Sequence, residues 1–238
     1  MQRSRLAVIG GFLGALGIFD AVIGPVLIHL GVLRPIGGFL FFGSGLLFGL
    51  VAVLLSPFAL YATRAVGGRS GRQLAVLGLC CGALLLASVG VARRGTAGLP
   101  RINDITTDLA NPPAFQGDPA GGSRDMSYPA DFVPQVKAAY PDLAPIRVSG
   151  DPARTLALAE QTARALGWEI VAVDQGAGTL FARETSKLFL FVDDIVVRVR
   201  PAEAGGAIVD VRSKSRVGQG DLGANAARIR RFAEKLPR

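Results

Sequence analysis

Three apolar stretches, Leu6 to Leu33, Ile36 to Tyr61 and Leu74 to Ala92, follow one another at the start of the chain, and nothing after Leu99 resembles them. A helix of roughly 20 apolar residues crosses the hydrocarbon core of a bilayer, and each stretch is long enough to do so. The first contains Asp20 as its only acid and His29 as its only other ionisable group; the second and third contain no Asp, Glu, Lys, Arg or His. Arg3, Arg5 and the run Leu6 to Phe19 also have the make-up of a secretory signal. Apolar sequence continues past Asp20, however, and two further stretches follow, so a three-span anchor over residues 1–94 is the expectation.

The formal net charge of +8 raises the question of nucleic acid. Before Gly95 the chain holds Arg3, Arg5, Arg34, Arg64, Arg69, Arg72, Arg93 and Arg94 against Asp20, a net of +7; the remainder holds 18 basic and 17 acidic residues, a net of +1. The basicity belongs to arginines that flank the spans. The soluble part has no charge excess with which to attract a polyanion, so no nucleic-acid partner is expected.

Those arginines also predict orientation. Arg3, Arg5, Arg64, Arg69 and Arg72 lie on one side of a three-span anchor, and Arg34, Arg93 and Arg94 on the other. By the positive-inside rule the N-terminus is cytoplasmic and the C-terminal domain lies outside, in the periplasm of a bacterium. Glycines four apart, Gly10 and Gly14, Gly45 and Gly49, Gly78 and Gly82, clear side chains from one face of each span and predict a tightly packed bundle. Cys80 and Cys81, the only cysteines, are adjacent within the third span and read as small apolar filler. Asp20 sits roughly 21 Å along the first span, past the bilayer midplane, which makes it an intramembrane candidate. The competing expectation is an Asp held by Ser44 or by a freed carbonyl near Gly24 and Pro25. His29 falls about half a turn away around the helix, so a relay between the two is not expected.

Residues 95–145 are rich in Pro, Gly, Asp and Asn with little apolar periodicity and read as an extended tether. A folded domain over 146–238 follows. Asp151 and Pro152 give an N-cap and a first-turn proline, Gly167 a C-cap, and Leu156, Ala159, Ala163 and Leu166 recur at helical spacing. Strand-like runs follow at Trp168–Asp174, Thr179–Thr185, Phe189–Arg200 with a break near Asp193 and Asp194, and Ala207–Arg216. Links at Gln175–Gly178 and Glu203–Gly206 predict antiparallel hairpins, and Asp221–Leu236 a final helix. The fold class is α+β, with a mainly antiparallel sheet and two packing helices. Ile195, Val197, Val199, Val209 and Val211 face the core. The opposite face presents Arg198, Arg200, Asp210, Arg212 and Lys214, either a solvated charge-paired surface or an anion-binding one.

Asn103-Asp104-Ile105-Thr106-Thr107-Asp108, Pro112-Pro113, Trp168, Asp193-Asp194 and Arg212-Ser213-Lys214-Ser215-Arg216-Val217-Gly218 occur in this order. Asp221-Leu222-Gly223-Ala224-Asn225 and Arg228-Ile229-Arg230 complete the series. Together they resemble the family called domain of unknown function 1499, over roughly Arg101 to Leu236. The resemblance implies no activity, substrate or catalytic residue; members often carry membrane segments ahead of the domain.

With its only His in the first span, the soluble part lacks both His and Cys, which removes the commonest general base, zinc ligands and thiol nucleophiles. Ser213 and Lys214 are strand neighbours and point to opposite faces, so they cannot form a dyad. Arg216 to Asp221 leads into a helix, where amides can hold phosphate, but Asp221 is expected to cap those amides itself. Asn103, Asp104 and Asp108 do not match an EF-hand loop. No metal site and no cofactor are expected.

The expected reading is a non-enzymatic interaction or ligand-binding domain on a membrane anchor, its partner a protein or a lipid-like molecule. Within it, Asn103, Asp104, Asp108, Asp221, Asn225 and Arg228 form a salt-bridged dock that ties the acidic segment onto the domain. The first alternative is a carrier or enzyme acting on an anionic lipid head group through Arg198, Arg200, Arg212, Lys214 and Arg216. The second places function in the spans, at Asp20.

Overall fold

The computed structural model describes residues 2–64 and 68–238. It divides into two compact units, residues 1–97 with Lys187–Leu190, and residues 98–186 with 191–238.

The first unit is built on three helices long and apolar enough to cross a membrane: α1 (Arg5–His29), α2 (Pro35–Ala62) and α3 (Arg72–Arg94). Their exposed residues include Phe12, Phe19, Leu54, Phe58 and Leu84, whereas the faces they turn to one another are lined with glycine and alanine. All the predicted glycine pairs lie at contacts between helices. A methyl group on Gly14 would come within 2.8 Å of the Gly78 Cα, and one on Gly45 within 2.5 Å of the Gly17 carbonyl oxygen. At Gly78 and Gly82 it would collide with the backbone carbonyls of Gly10 and Gly49. Apolar helices in lipid associate through close van der Waals packing, and small residues permit it. Gly78→Ala is therefore expected to destabilise the helical unit by about 1–3 kcal/mol, the usual cost of overpacking. Gly43→Ala, where the added methyl meets nothing within 4 Å, serves as the control. Thermal unfolding in detergent, followed by far-ultraviolet circular dichroism, checks the difference.

The second unit is α+β. Its antiparallel sheet has the order β1-β6-β5-β4-β3, with β2 beside β1 on the same edge of β6. The strands are β1 (Asp104–Thr106), β2 (Ile146–Val148), β3 (Glu169–Asp174), β4 (Thr179–Thr185), β5 (Val192–Pro201) and β6 (Ala207–Ser215). Three helices complete it: α4 (Phe132–Ala139), α5 (Pro152–Ala165) and α6 (Ala224–Lys235). Asp151 accepts a hydrogen bond from the Arg154 amide at 3.0 Å and starts α5; Gly167, at φ +82°, follows its end. At the β5–β6 turn Gly206 takes φ +81°, and a Cβ there would lie 2.5 Å from the Val148 carbonyl. Only glycine fits both conditions.

α5 and α6 cover one face of the sheet. Ile195, Val197, Val199, Val209 and Val211 meet Leu156, Ala159, Ile229 and Phe232 there, all of them buried. Trp168, the only tryptophan, stacks on Phe232 with centroids 5.2 Å apart and planes at 13°. Its fluorescence therefore reports on this unit alone.

Two local expectations differ from the structure. β5 runs unbroken through Asp193 and Asp194, which pair with Ser215 and Lys214. Alternation sends the two carboxylates to opposite faces, and an arginine meets each. Residues 95–145, read from composition as a tether, include β1, which adds a strand to the edge of β6, and α4.

Candidate functional site

Polar residues converge on both faces of the sheet, towards the end where β1 begins and β6 stops. On the face away from α5 and α6, register places Asp104 beside Lys214, Asp194 beside Lys214 from the other side, Val196 beside Arg212, and Arg198 beside Asp210. Three carboxylates buried in this layer each take two cations. Asp104 receives both branches of the Arg212 guanidinium at 2.9 and 2.7 Å, and the Lys214 ammonium at 3.0 Å. Asp210 accepts from Arg198 at 2.8 Å and from Arg200 at 3.0 Å. Asp194 accepts from Arg216 at 2.7 Å and from Arg124 at 3.1 Å.

Residues 107–128 fold over this face. Phe115 and Met126 pack on Phe181 and Val196 to form a small second core. Arg212 lies beneath it, 2% exposed, with its guanidinium 5.0 Å from the centroid of Phe115 and 5.2 Å from that of Tyr128. Its remaining donors reach the carbonyls of Pro113 at 3.1 Å, Met126 at 2.8 Å and Ser127 at 3.2 Å. Burial, with the Asp104 carboxylate next in effect, raises the Tyr128 phenol above its ordinary value. Asp108 bonds Arg198 at 3.0 Å and caps the amides of Ala110 and Asn111.

The other face carries a second network at the same end. Asn225, buried at the start of α6, accepts from Ser213 Oγ at 2.7 Å and donates to Ser215 Oγ at 3.0 Å and the Asn103 carbonyl at 3.2 Å. Arg228, one turn along, donates to Asn225 at 2.6 Å, Ser213 at 2.9 Å and Asp193 at 2.6 Å, and pairs with Glu184. Asp221 accepts from the amides of Gly223 and Asn225 at 2.9 and 2.8 Å, so its carboxylate occupies the amides that open α6. Asn103 donates to the Gly218 carbonyl at 2.6 Å.

The residues singled out in the sequence thus fall into two groups back to back. Arg198, Arg200, Arg212, Lys214 and Arg216 share a face with Asp104 and Asp108; Asn225 and Arg228 lie on the opposite face, with Asp221 and Asn103 in the segments at its end. Asp118, Arg124, Phe115, Tyr128 and Glu184 complete the arrangement without a sequence signal that marks them. Asp118 and Arg124 are six residues apart in a Gly-rich stretch and become partners only when it folds back. Among the described residues no group of three or more His, Cys, Asp or Glu is placed to hold a metal ion.

Asp20 is separate from both networks. In the first unit it is 8% exposed and accepts a hydrogen bond from Ser44 Oγ at 2.8 Å. His29 Nδ1 lies 2.9 Å from the Pro25 carbonyl.

The Arg124 guanidinium, followed by the Ala120 amide, holds the Asp118 carboxyl well below the usual carboxylate range, and Arg230 lowers that of Asp142. A carboxyl whose folded pKa is depressed stabilises the fold above its unfolded value of about 3.9, and that contribution is lost as pH falls through the folded value. The denaturant midpoint read by Trp168 is therefore expected to fall as pH drops from about 5 towards 2. Asp118→Asn should flatten part of that slope.

These features define a sheet domain with two helices on one face and a buried ion-pair layer on the other, preceded by three candidate membrane helices. Residues 104–236 match the family model described as a protein of unknown function, DUF1499, and the chain belongs to that family. A comparison with curated proteins finds no match.

Proposed function

We propose that this is an integral protein of the bacterial cytoplasmic membrane, with its N-terminus in the cytoplasm and its C-terminal domain in the periplasm. The domain acts as a non-enzymatic interaction module, with a protein or a lipid-like molecule as partner. Flanking arginines support the orientation.

One observation carries the choice against an anionic-lipid carrier or enzyme. Each of the five cations such a site would use is engaged by the chain's own carboxylates. They also lie on the sheet face opposite α5 and α6, not in a groove between sheet and helices. We assign Asn103, Asp104, Asp108, Asp221, Asn225 and Arg228 to a dock in which the first five fasten residues 98–128 to the sheet and α6, and Arg228 holds Asn225 in place. Asp20 fits a packing role, given its bond from Ser44.

Native mass spectrometry of the full chain, extracted gently from its own membrane, tests the reading. A co-purifying protein, or a lipid retained equally by wild type and by Arg198→Gln and Arg216→Gln, is expected. A defined anionic lipid lost in those variants, while Trp168 fluorescence stays native, would establish the carrier or enzyme instead.

A further inference from the structure

We propose that the end of the sheet formed by the β4–β5 and β6–α6 loops is a lipid-contacting edge that inserts into the head-group region of the bilayer. The inference rests on the reading that α1, α2 and α3 span a membrane.

Beyond Leu99 the exposed large apolar residues are Val171, Leu188, Val217 and Leu222. Three of them lie in two loops. Leu188 lies in the β4–β5 loop, and Val217 and Leu222 between β6 and α6. The register puts these loops side by side, since Thr185 pairs with Val192 where the β4–β5 hairpin turns, and Asp193 pairs with Ser215 where β6 stops. The approach to β1 is at the same end, with the Ser215 amide bonded to the Asn103 carbonyl and the Asp221 amide to that of Ile102. Leu222 is 70% exposed and holds φ +54°, a left-handed conformation unusual for a branched side chain. Exposing so large an apolar side chain to water is unfavourable, and a lipid phase removes that cost.

Charge and reach favour a bilayer. The exposed ionic side chain of the β4–β5 loop is Lys187, and Arg101, in the segment before β1, reaches Gln219 of the β6–α6 loop at 3.3 Å; both are cationic, whereas Asp221 is turned onto its own backbone. Apolar tips beside basic residues are the pattern of interfacial segments attracted to anionic lipid. Residues 95–103 join α3 to β1 and span at most roughly 35 Å when extended, so a bilayer crossed by α3 is always within reach. The tip Lys187–Leu190 is itself part of the first unit. There the Phe189 ring stands edge-on to Phe39 and Phe42, with centroids at 5.3 and 5.5 Å.

The test uses the full chain with Cys80→Ala and Cys81→Ala, in vesicles of phosphatidylcholine with about a third phosphatidylglycerol. An environment-sensitive fluorophore is attached singly at Leu188→Cys, Leu222→Cys, Glu203→Cys or Leu84→Cys, with Trp168 fluorescence checking the fold. Probes at 188, 222 and 84 are expected to shift to the blue and be quenched several-fold by lipids spin-labelled near the head group or along the chain; the probe at 203, in the β5–β6 turn, is not. Lys187→Glu with Arg101→Glu should at least halve the quenching at 188. Water-like emission at 188 and 222 with quenching at 84 overturns the proposal alone. A missing signal at 84 overturns the membrane-span reading with it. A blue shift at 188 without quenching, the mark of protein self-association, also overturns the proposal.

Discussion

Arg212→Met is expected to destabilise the second unit by about 3–5 kcal/mol, the typical cost of breaking a buried ion pair from one side. Asp104 is fully buried and would keep only Lys214, while three backbone carbonyls, those of Pro113, Met126 and Ser127, would lose their donor. A domain's whole stability is about 5–15 kcal/mol, so the loss is a large part of it. Arg212→Lys is not a rescue: an ammonium cannot form the two-branched bond to Asp104 and also supply donors to the three carbonyls. Urea unfolding of the full chain in detergent, followed by Trp168, measures the loss. An unchanged midpoint would mean that the buried layer contributes nothing to holding the sheet.

The second large effect is expected at Arg228. Its guanidinium joins α6 to β4, β5 and β6 through Glu184, Asp193 and Ser213, and it also holds Asn225. Arg228→Leu leaves two partly buried carboxylates facing an apolar side chain. Glu184 retains only Arg231, at 3.3 Å. A loss of about 3 kcal/mol follows, at the lower end of the range because Glu184 can turn towards water. Ser213→Ala removes one hydrogen-bond partner without stranding a charge and should cost about 1–2 kcal/mol. The same unfolding measurement distinguishes the two. Equal losses would show that charge burial is not what makes Arg228 costly to remove.

Much of this was readable in advance because regular elements announce themselves locally. The Asp151 cap, Gly167 and the helical repeat of Leu156, Ala159 and Ala163 specify α5, and alternation along Ile195, Val197 and Val199 specifies which face of β5 is inside. The glycine spacings marked the helix contacts of the first unit, since removal of side chains is visible in the residues themselves. β1 was not readable. Asp104-Ile105-Thr106 is three residues long, flanked by polar sequence, and becomes a strand only by pairing with β6 more than a hundred positions away.

The charged face shows the same limit more clearly. Alternation predicts that Arg198, Asp210, Arg212 and Lys214 share a surface, and they do. It says nothing of the cover. Phe115 and Met126 come from a segment without periodicity, and their packing on Phe181 and Val196 turns a surface of charges into a buried layer. A buried arginine and an exposed one are identical in sequence; only the long-range fold tells them apart.

A double-mutant cycle between Asp104 and Arg212 in the full chain, read by Trp168 fluorescence during urea unfolding, tests the claim that this face is a lock and not a ligand site. Asp104→Leu and Arg212→Met each remove one partner, and the double variant removes both. A coupling of about 2 kcal/mol or more is predicted, with the double variant recovering much of the stability either single variant loses. Zero coupling, with Arg212→Met as stable as wild type, would contradict the account and return these cations to the list of binding residues.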